Sequence, residues 1–283
     1  MLKLAVSAAM GALILTGCGK KAETPDVEPT PATGISEEAQ PASAPDAEPG
    51  SLADVPHKAE VSNEAFVGSV TVDDDLFTVA PALAAELMKD GKGRMEAMQS
   101  DAETYKEADP EYFRAYSLSI EWTLAAKAGD LISIEGFTSA YTGGAHGNYG
   151  TDARIYDLTS GKEIFLQDML SNPEAAMQDA LPVVLSEIAR LRSEKAGNGG
   201  SEETFRGEAA DAVSADSLME SEIGLVASTE ADAFGGFVVH FAPYEIASYA
   251  EGAYKVVVPQ TVFHQFLKPQ YEGVFAGEPI TEE

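Results

Sequence analysis

The residues with the plainest chemical meaning are Leu15-Thr16-Gly17-Cys18. Lys3 and an apolar stretch, Leu4 to Leu15, precede them, which is the layout of a secretory signal ending in small residues. A cysteine directly after a small pair looks like a bacterial lipobox, in which the Cys18 thiol is acylated and Cys18 becomes the mature N-terminus. The apolar stretch is too short to cross a hydrocarbon core of roughly 30 Å as a helix. The alternative is the buried start of a cytosolic domain. The expectation is therefore a lipoprotein signal peptide at 1–17. The chain would be tethered to a membrane through lipid on Cys18, facing the periplasm or exterior. Gly19, rather than aspartate, favours the outer membrane in a cell that has one.

A second string has unusual composition: Tyr141-Thr142-Gly143-Gly144-Ala145-His146-Gly147-Asn148. Clustered glycines imply positive φ or a close approach by another group. A histidine displayed there can act as base, ligand or hydrogen-bond donor near neutral pH. Tyr141, Thr142, Gly143, Gly144, His146 and Asn148 are the candidate ligand-binding residues. The alternative is a tight connection between two strands, with His146 bonding local backbone. The string lacks the lysine of a phosphate loop and opens no helix. No second histidine or carboxylate stands at metal-ligand spacing, so no metal or cofactor is expected.

Other chemistry finds less support. There is no Gly-x-Ser-x-Gly elbow and no cysteine besides Cys18. Carboxylates are too numerous for spacing to locate or exclude a glycosidase-like pair. Asp73-Asp74-Asp75 lacks the alternation of a calcium loop and reads as a solvated turn. His240 is expected to be a satisfied sheet histidine, His264 a structural one, His57 inert within a linker, and Trp122 a core residue. No catalytic residue is assigned. A hydrolase acting on cell-wall sugars through His146 and a carboxylate stays the alternative to a binding module.

Composition narrows the partners. The 283 residues carry a formal net charge of −29, against nucleic acid and against an anionic membrane surface. Such a balance favours a cationic partner by long-range attraction, or merely solubility. With one cysteine no internal disulfide forms, so a core must hold the fold, and 45% hydrophobic residues can supply it.

The elements that must position these residues begin after a Pro/Ala/acidic segment, 18–60, expected to be disordered. Phe66, Val70 and Val72 alternate as a strand. Pro81 to Met98 has helical spacing, and Tyr112–Ala126 with Leu131–Tyr141 reads as a long antiparallel hairpin. A third strand is expected over Asp152–Asp157. Pro173 starts a helix of about twenty residues containing Pro182, on the spacing of its apolar stripe. An acidic helix is expected from Thr204 to Met219, strands over Phe234–Phe241 and Tyr254–Val258, and a short helix over Thr261–Leu267. Mixed elements without regular βαβ alternation indicate an α+β fold of antiparallel sheets with packed helices. The expected division is 61–150, 151–268 and a flexible tail at 269–283.

Two further strings, Asp157-Leu158-Thr159-Ser160-Gly161-Lys162-Glu163-Ile164 running into Leu166-Gln167-Asp168-Met169-Leu170, and Phe241-Ala242-Pro243-Tyr244-Glu245-Ile246-Ala247-Ser248-Tyr249-Ala250-Glu251-Gly252, join the glycine–histidine string in one resemblance. Together they resemble the extracytoplasmic module shared by RsiV-type anti-sigma factors and the non-catalytic region of PdaC-type peptidoglycan deacetylases. The resemblance spans about Val61 to Leu267. It implies a two-part α+β module in which the glycine–histidine string joins the first part to the second. In RsiV-type proteins that module is similar to a receptor for lysozyme, a strongly basic enzyme. Neither a sigma-binding segment nor a deacetylase domain is visible in the sequence. The expectation is a non-enzymatic binding or sensing module for a lysozyme-like protein or peptidoglycan. In the residues themselves, Pro243, Tyr244, Tyr249 and Gly252 read as a structural loop between strands. Tyr244, Ile246 and Tyr249 are expected to tuck their apolar bodies beneath it.

Overall fold

The computed structural model describes residues 52–197 and 199–281. The expected signal peptide, Cys18 and the linker through residue 51 lie outside the described residues. The rest forms a six-stranded sheet, a three-stranded sheet and helices packed on them, an α+β architecture. No helix among the described residues is long and apolar enough to cross a membrane.

The first sheet runs in order β1 (Lys58–Ser62), β2 (Phe66–Val72), β3 (Tyr116–Ala128), β4 (Leu131–Tyr141), β5 (Asn148–Asp157) and β6 (Lys162–Ile164). All neighbours are antiparallel except β2 and β3, whose parallel pairing needs a crossover. The helices α1 (Asp74–Val79) and α2 (Pro81–Ala108) make it. Asp73-Asp74-Asp75 is therefore a helix start: the Asp73 carboxylate accepts from the Asp75 N–H, and two acids occupy the first turn. Period-two alternation sends Phe66, Val70 and Val72 of β2 inward with Leu118, Ile120 and Trp122 of β3. These side chains share a core with Leu87, Met88 and Met95 of α2. Trp122 is buried, as expected.

The second sheet comprises β7 (Ile223–Ala227), β8 (Phe234–Phe241) and β9 (Tyr254–Pro259), all antiparallel. Its core face holds Leu225, Phe237, Val256 and Val258 against Met177, Val184 and Ile188 of α4 (Pro173–Ala196). Pro182 lies within α4 without ending it. The two short helices α3 (Leu166–Met169) and α7 (Gln260–Phe263) close the ends of this core. The expected acidic helix is two, α5 (Glu202–Ala212) and α6 (Ala215–Glu220). The Ser214 hydroxyl starts α6 by accepting from the Ser217 N–H.

Three expected boundaries are corrected. The linker ends before Lys58, because β1 pairs with β2 over residues 58–62. His57, expected to be inert, stacks on Phe77 with ring centroids 3.8 Å apart. The tail at 269–281 is ordered: it carries α8 (Pro269–Glu272), buries Phe275 in the second core, and pairs Pro279 with Ser228. The division at 150/151 falls inside β5, whose register with β4 is continuous from Asn148 to Asp157. Backbone pairing overrides the change in sequence texture there.

Candidate functional site

The glycine–histidine string is the connection from β4 to β5 within one sheet, so it does not link two parts. Ala140 pairs with Asn148, and residues 142–147 make the turn. Gly143 has φ +87°, a conformation costly for other residues. Thr142, Gly144 and Asn148 face solvent, while Tyr141 is half-buried at the end of β4. His146 is exposed, with ring Nδ1 donating to the Gly147 carbonyl at 2.9 Å.

The second string, 242–253, connects β8 to β9 and meets the first. The Tyr249 hydroxyl donates to the Gly147 carbonyl at 2.6 Å. The Ala253 N–H donates to the Tyr149 hydroxyl at 3.1 Å. His146 stacks on Tyr249 with centroids 4.1 Å apart and planes 27° apart. Tyr244 lies 5.5 Å from Tyr249, Tyr149 6.2 Å from it, and Phe137 5.8 Å from Tyr149. The two strings thus form one aromatic surface, an arrangement that separation along the chain conceals.

Tyr244 is not tucked beneath the loop: it has φ +78° and is 66% exposed. Left-handed backbone at a non-glycine residue aims the ring outward, against Tyr249. Strained backbone of this kind clusters at active sites and ligand clamps. Pro243 is half-buried just past β8. The Glu245 carboxylate accepts from the Ala242 N–H at 2.6 Å and closes the turn.

Gly252, at φ 77° and ψ −163°, occupies a region essentially reserved for glycine. A Cβ there would sit 2.9 Å from the Tyr149 hydroxyl. Gly252→Ala is expected to destabilise by about 1–3 kcal/mol, strained backbone plus a lost loop bond. Thermal melts compared with Gly150→Ala, where a Cβ meets open space, check this.

Beneath this surface, residues outside the expected set hold the second string. The Arg192 guanidinium donates to Glu251 at 3.0 Å and to Glu208 at 2.8 Å, and lies 4.5 Å over the Phe205 ring. Lys195 donates to the carbonyls of Glu251 and Ala253 at 2.8 and 3.1 Å. Burial pushes the Glu251 carboxyl up, but hydrogen bonds from Arg192 and Tyr254 outweigh it and hold the group below its ordinary value. Burial and the Glu251 charge push the Tyr254 hydroxyl up to about 12. Tyr149 was within reach of sequence reasoning, being adjacent to the string. Nothing local singles out Arg192 or Lys195 on α4.

A second polar cluster lies between the sheets. Glu135 of β4 accepts from Lys255 of β9 at 2.9 Å, and His240 of β8 stands 3.6 Å away. Burial would raise the Glu135 carboxyl, but His240 and the Lys255 ammonium lower it to about 2. His240 is not the satisfied sheet histidine expected: its side chain is 4% exposed and Nε2 lacks a hydrogen-bond partner. Among the described residues, the histidines paired with carboxylates are His57 and His240, and not His146. No metal-holding group of three or more His, Cys, Asp or Glu occurs among them.

Residues 60–149 match the family model of the deacetylase PdaC, and residues 233–261 match that of a protein of unknown function, DUF3298. No curated protein matches the chain. Among solved structures, a DUF3298-family member from Bacteroides fragilis is 15% identical, with TM-score 0.49 over 75% of this chain and 92% of that one. A DUF3298-family protein from Pseudomonas aeruginosa is 19% identical, with TM-score 0.46 over 80% of this chain and 100% of that one. The glycine–histidine turn lies in the first matched segment and the Pro-Tyr loop in the second, so the chain combines a PdaC-like region with a DUF3298 region in one α+β unit.

Proposed function

We propose that this protein is a non-enzymatic binding module of the cell envelope, lipid-anchored at Cys18, that engages a basic protein of lysozyme type through its aromatic surface. One observation carries the reading: Tyr244 is held outward at φ +78°, tilted against Tyr249, which in turn stacks on His146, and it has no core to serve there. Exposed tyrosines with few rotatable bonds are the usual anchors of protein interfaces. The net charge of −29 supplies attraction for a cationic partner. Peptidoglycan is the second reading. It is favoured by the rings continuing through Tyr149 to Phe137, which is 38% exposed on the sheet. A hydrolytic His146 draws less support, since among the described residues no carboxylate pairs with its ring.

Calorimetry of the full chain with a basic muramidase, and separately with soluble muropeptides, tests the choice. Tyr244→Ala is expected to weaken the preferred ligand by about tenfold or more, the scale of an interface anchor. Absence of heat with both ligands, from folded protein at low salt, overturns the reading.

A further inference from the structure

A cleft of about 970 Å³, lined by none of the aromatic-surface residues, is bounded by α4, β7, β9, the β3–β4 pair and residues 280–281. Its β9 wall is an end strand of the second sheet. Among the described residues, no backbone bond joins Tyr254–Val258 to a partner beyond β8, leaving the outer edge of β9 open. Open edges of this kind accept extended peptides through main-chain hydrogen bonds. Opposite, β3 shifts register between Leu124 and Ala126, and Ala125 lines the cleft at that irregularity. Such bulges recur beside functional sites, where they end pairing and open the sheet.

The charges lining this cleft are Glu135, Glu187 and Glu194 against Arg190 and Lys255, an excess of one carboxylate. Arg190 is held by Glu187 and Glu194 of its own helix, each at 2.5 Å, and remains 45% exposed. Lys255, 48% exposed, is held by Glu135. Leu124, Leu191 and Val257 supply apolar lining between the two sets of charges.

We infer that this cleft is a second binding site, which takes an extended basic peptide segment along β9 and seats a lysine or arginine head among Glu135, Glu187 and Glu194. The six residues of β9 match a segment of five or six residues. The apolar lining suits the stem of a long cationic side chain, whose head stays with the carboxylates. The inference shares with the proposed function only the class of partner, a cationic protein, and not the aromatic surface.

The test is titration calorimetry of the full chain at low salt. The probe is the peptide acetyl-Val-Lys-Val-Arg-Val-amide, compared with a version whose central valine is proline and one whose basic residues are glutamate. Proline removes one main-chain donor, and about tenfold weaker binding is expected, the factor for one hydrogen bond of this class. The glutamate version is expected to give no heat. Glu187→Gln with Glu194→Gln, both on the helix surface, is expected to weaken the parent peptide about tenfold through the lost charge-assisted contacts. Tyr244→Ala is expected to bind the peptide as wild type does, even if it loses the muramidase. Equal binding of parent and proline peptides, no heat with the parent, or loss of peptide binding in Tyr244→Ala overturns the inference.

Discussion

Arg192→Ala is expected to destabilise the folded unit by roughly 3 kcal/mol, the lower end for removing one partner of a buried ion pair. The Arg192 side chain is 7% exposed and joins α4 to Glu208 of α5 and Glu251 of the β8–β9 connection. Removing it leaves Glu251, 30% exposed, without its main cation, and strips the face of Phe205. Glu208 is 53% exposed and recovers water, which keeps the cost at the lower end. A unit of this size should lose about 6–12 °C in melting midpoint, at roughly 2–4 °C per kcal/mol. Lysine should rescue only partly, because it lacks the planar fork that reaches both carboxylates. Arg192→Leu combined with Glu251→Gln should recover more than Arg192→Leu alone, since the double variant leaves no orphaned charge. Hydrogen exchange over Ser248–Ala253 should rise in Arg192→Ala while β2 stays protected. Uniform change along the chain, or an unaltered midpoint, would contradict the clamp.

Glu135→Gln should alter acid stability in a defined window. The folded carboxyl titrates at about 2 against an ordinary value of 4.5, so its ionised form is favoured in the folded state. A lowered acid contributes stability in full above the unfolded value, and that stability is lost as pH falls toward the folded one. The contribution, roughly 3 kcal/mol from the size of the shift, is therefore present at neutral pH and disappears between about pH 4.5 and 2. Denaturant unfolding of wild type and Glu135→Gln should differ most near pH 6 and converge near pH 2. Other carboxylates, Glu187 and Glu251 among them, also sit below their ordinary values. Taking the difference between the two proteins removes their share, provided they act independently. A gap that is constant across the window would show that Glu135 stabilises through packing alone.

Much of the architecture was legible locally. Leu131–Tyr141 coincides with β4, Phe234–Phe241 with β8, and Pro173 opens α4. These segments combine strong periodicity with turn or helix-start residues, so local preference and tertiary demand agree. The missed elements are short. β1 carries Lys58 and Glu60 and gains its order from pairing with β2. The tail looks polar, yet Phe275 finds a slot between Phe234 and Phe263 that no local pattern announces. The parallel pairing of β2 with β3 was equally hidden, because it depends on where α1 and α2 return the chain.

Two unusual strings were visible in the sequence, and the clustered glycines of the first implied the positive φ that Gly143 has; Gly252, read only as part of a loop, has it too. The order of the elements likewise indicated an α+β class, and composition gave an acidic balance of −29 and a fold without internal disulfides. Their meeting was decided by tertiary structure: Tyr249 reaches Gly147 across 102 positions of chain. The outward turn of Tyr244, the Arg192 clamp and the burial of His240 beside Glu135 were decided there too. Periodicity reports which face of an element is buried, but the partners of a polar side chain depend on how separate elements are brought together, and that information is long-range.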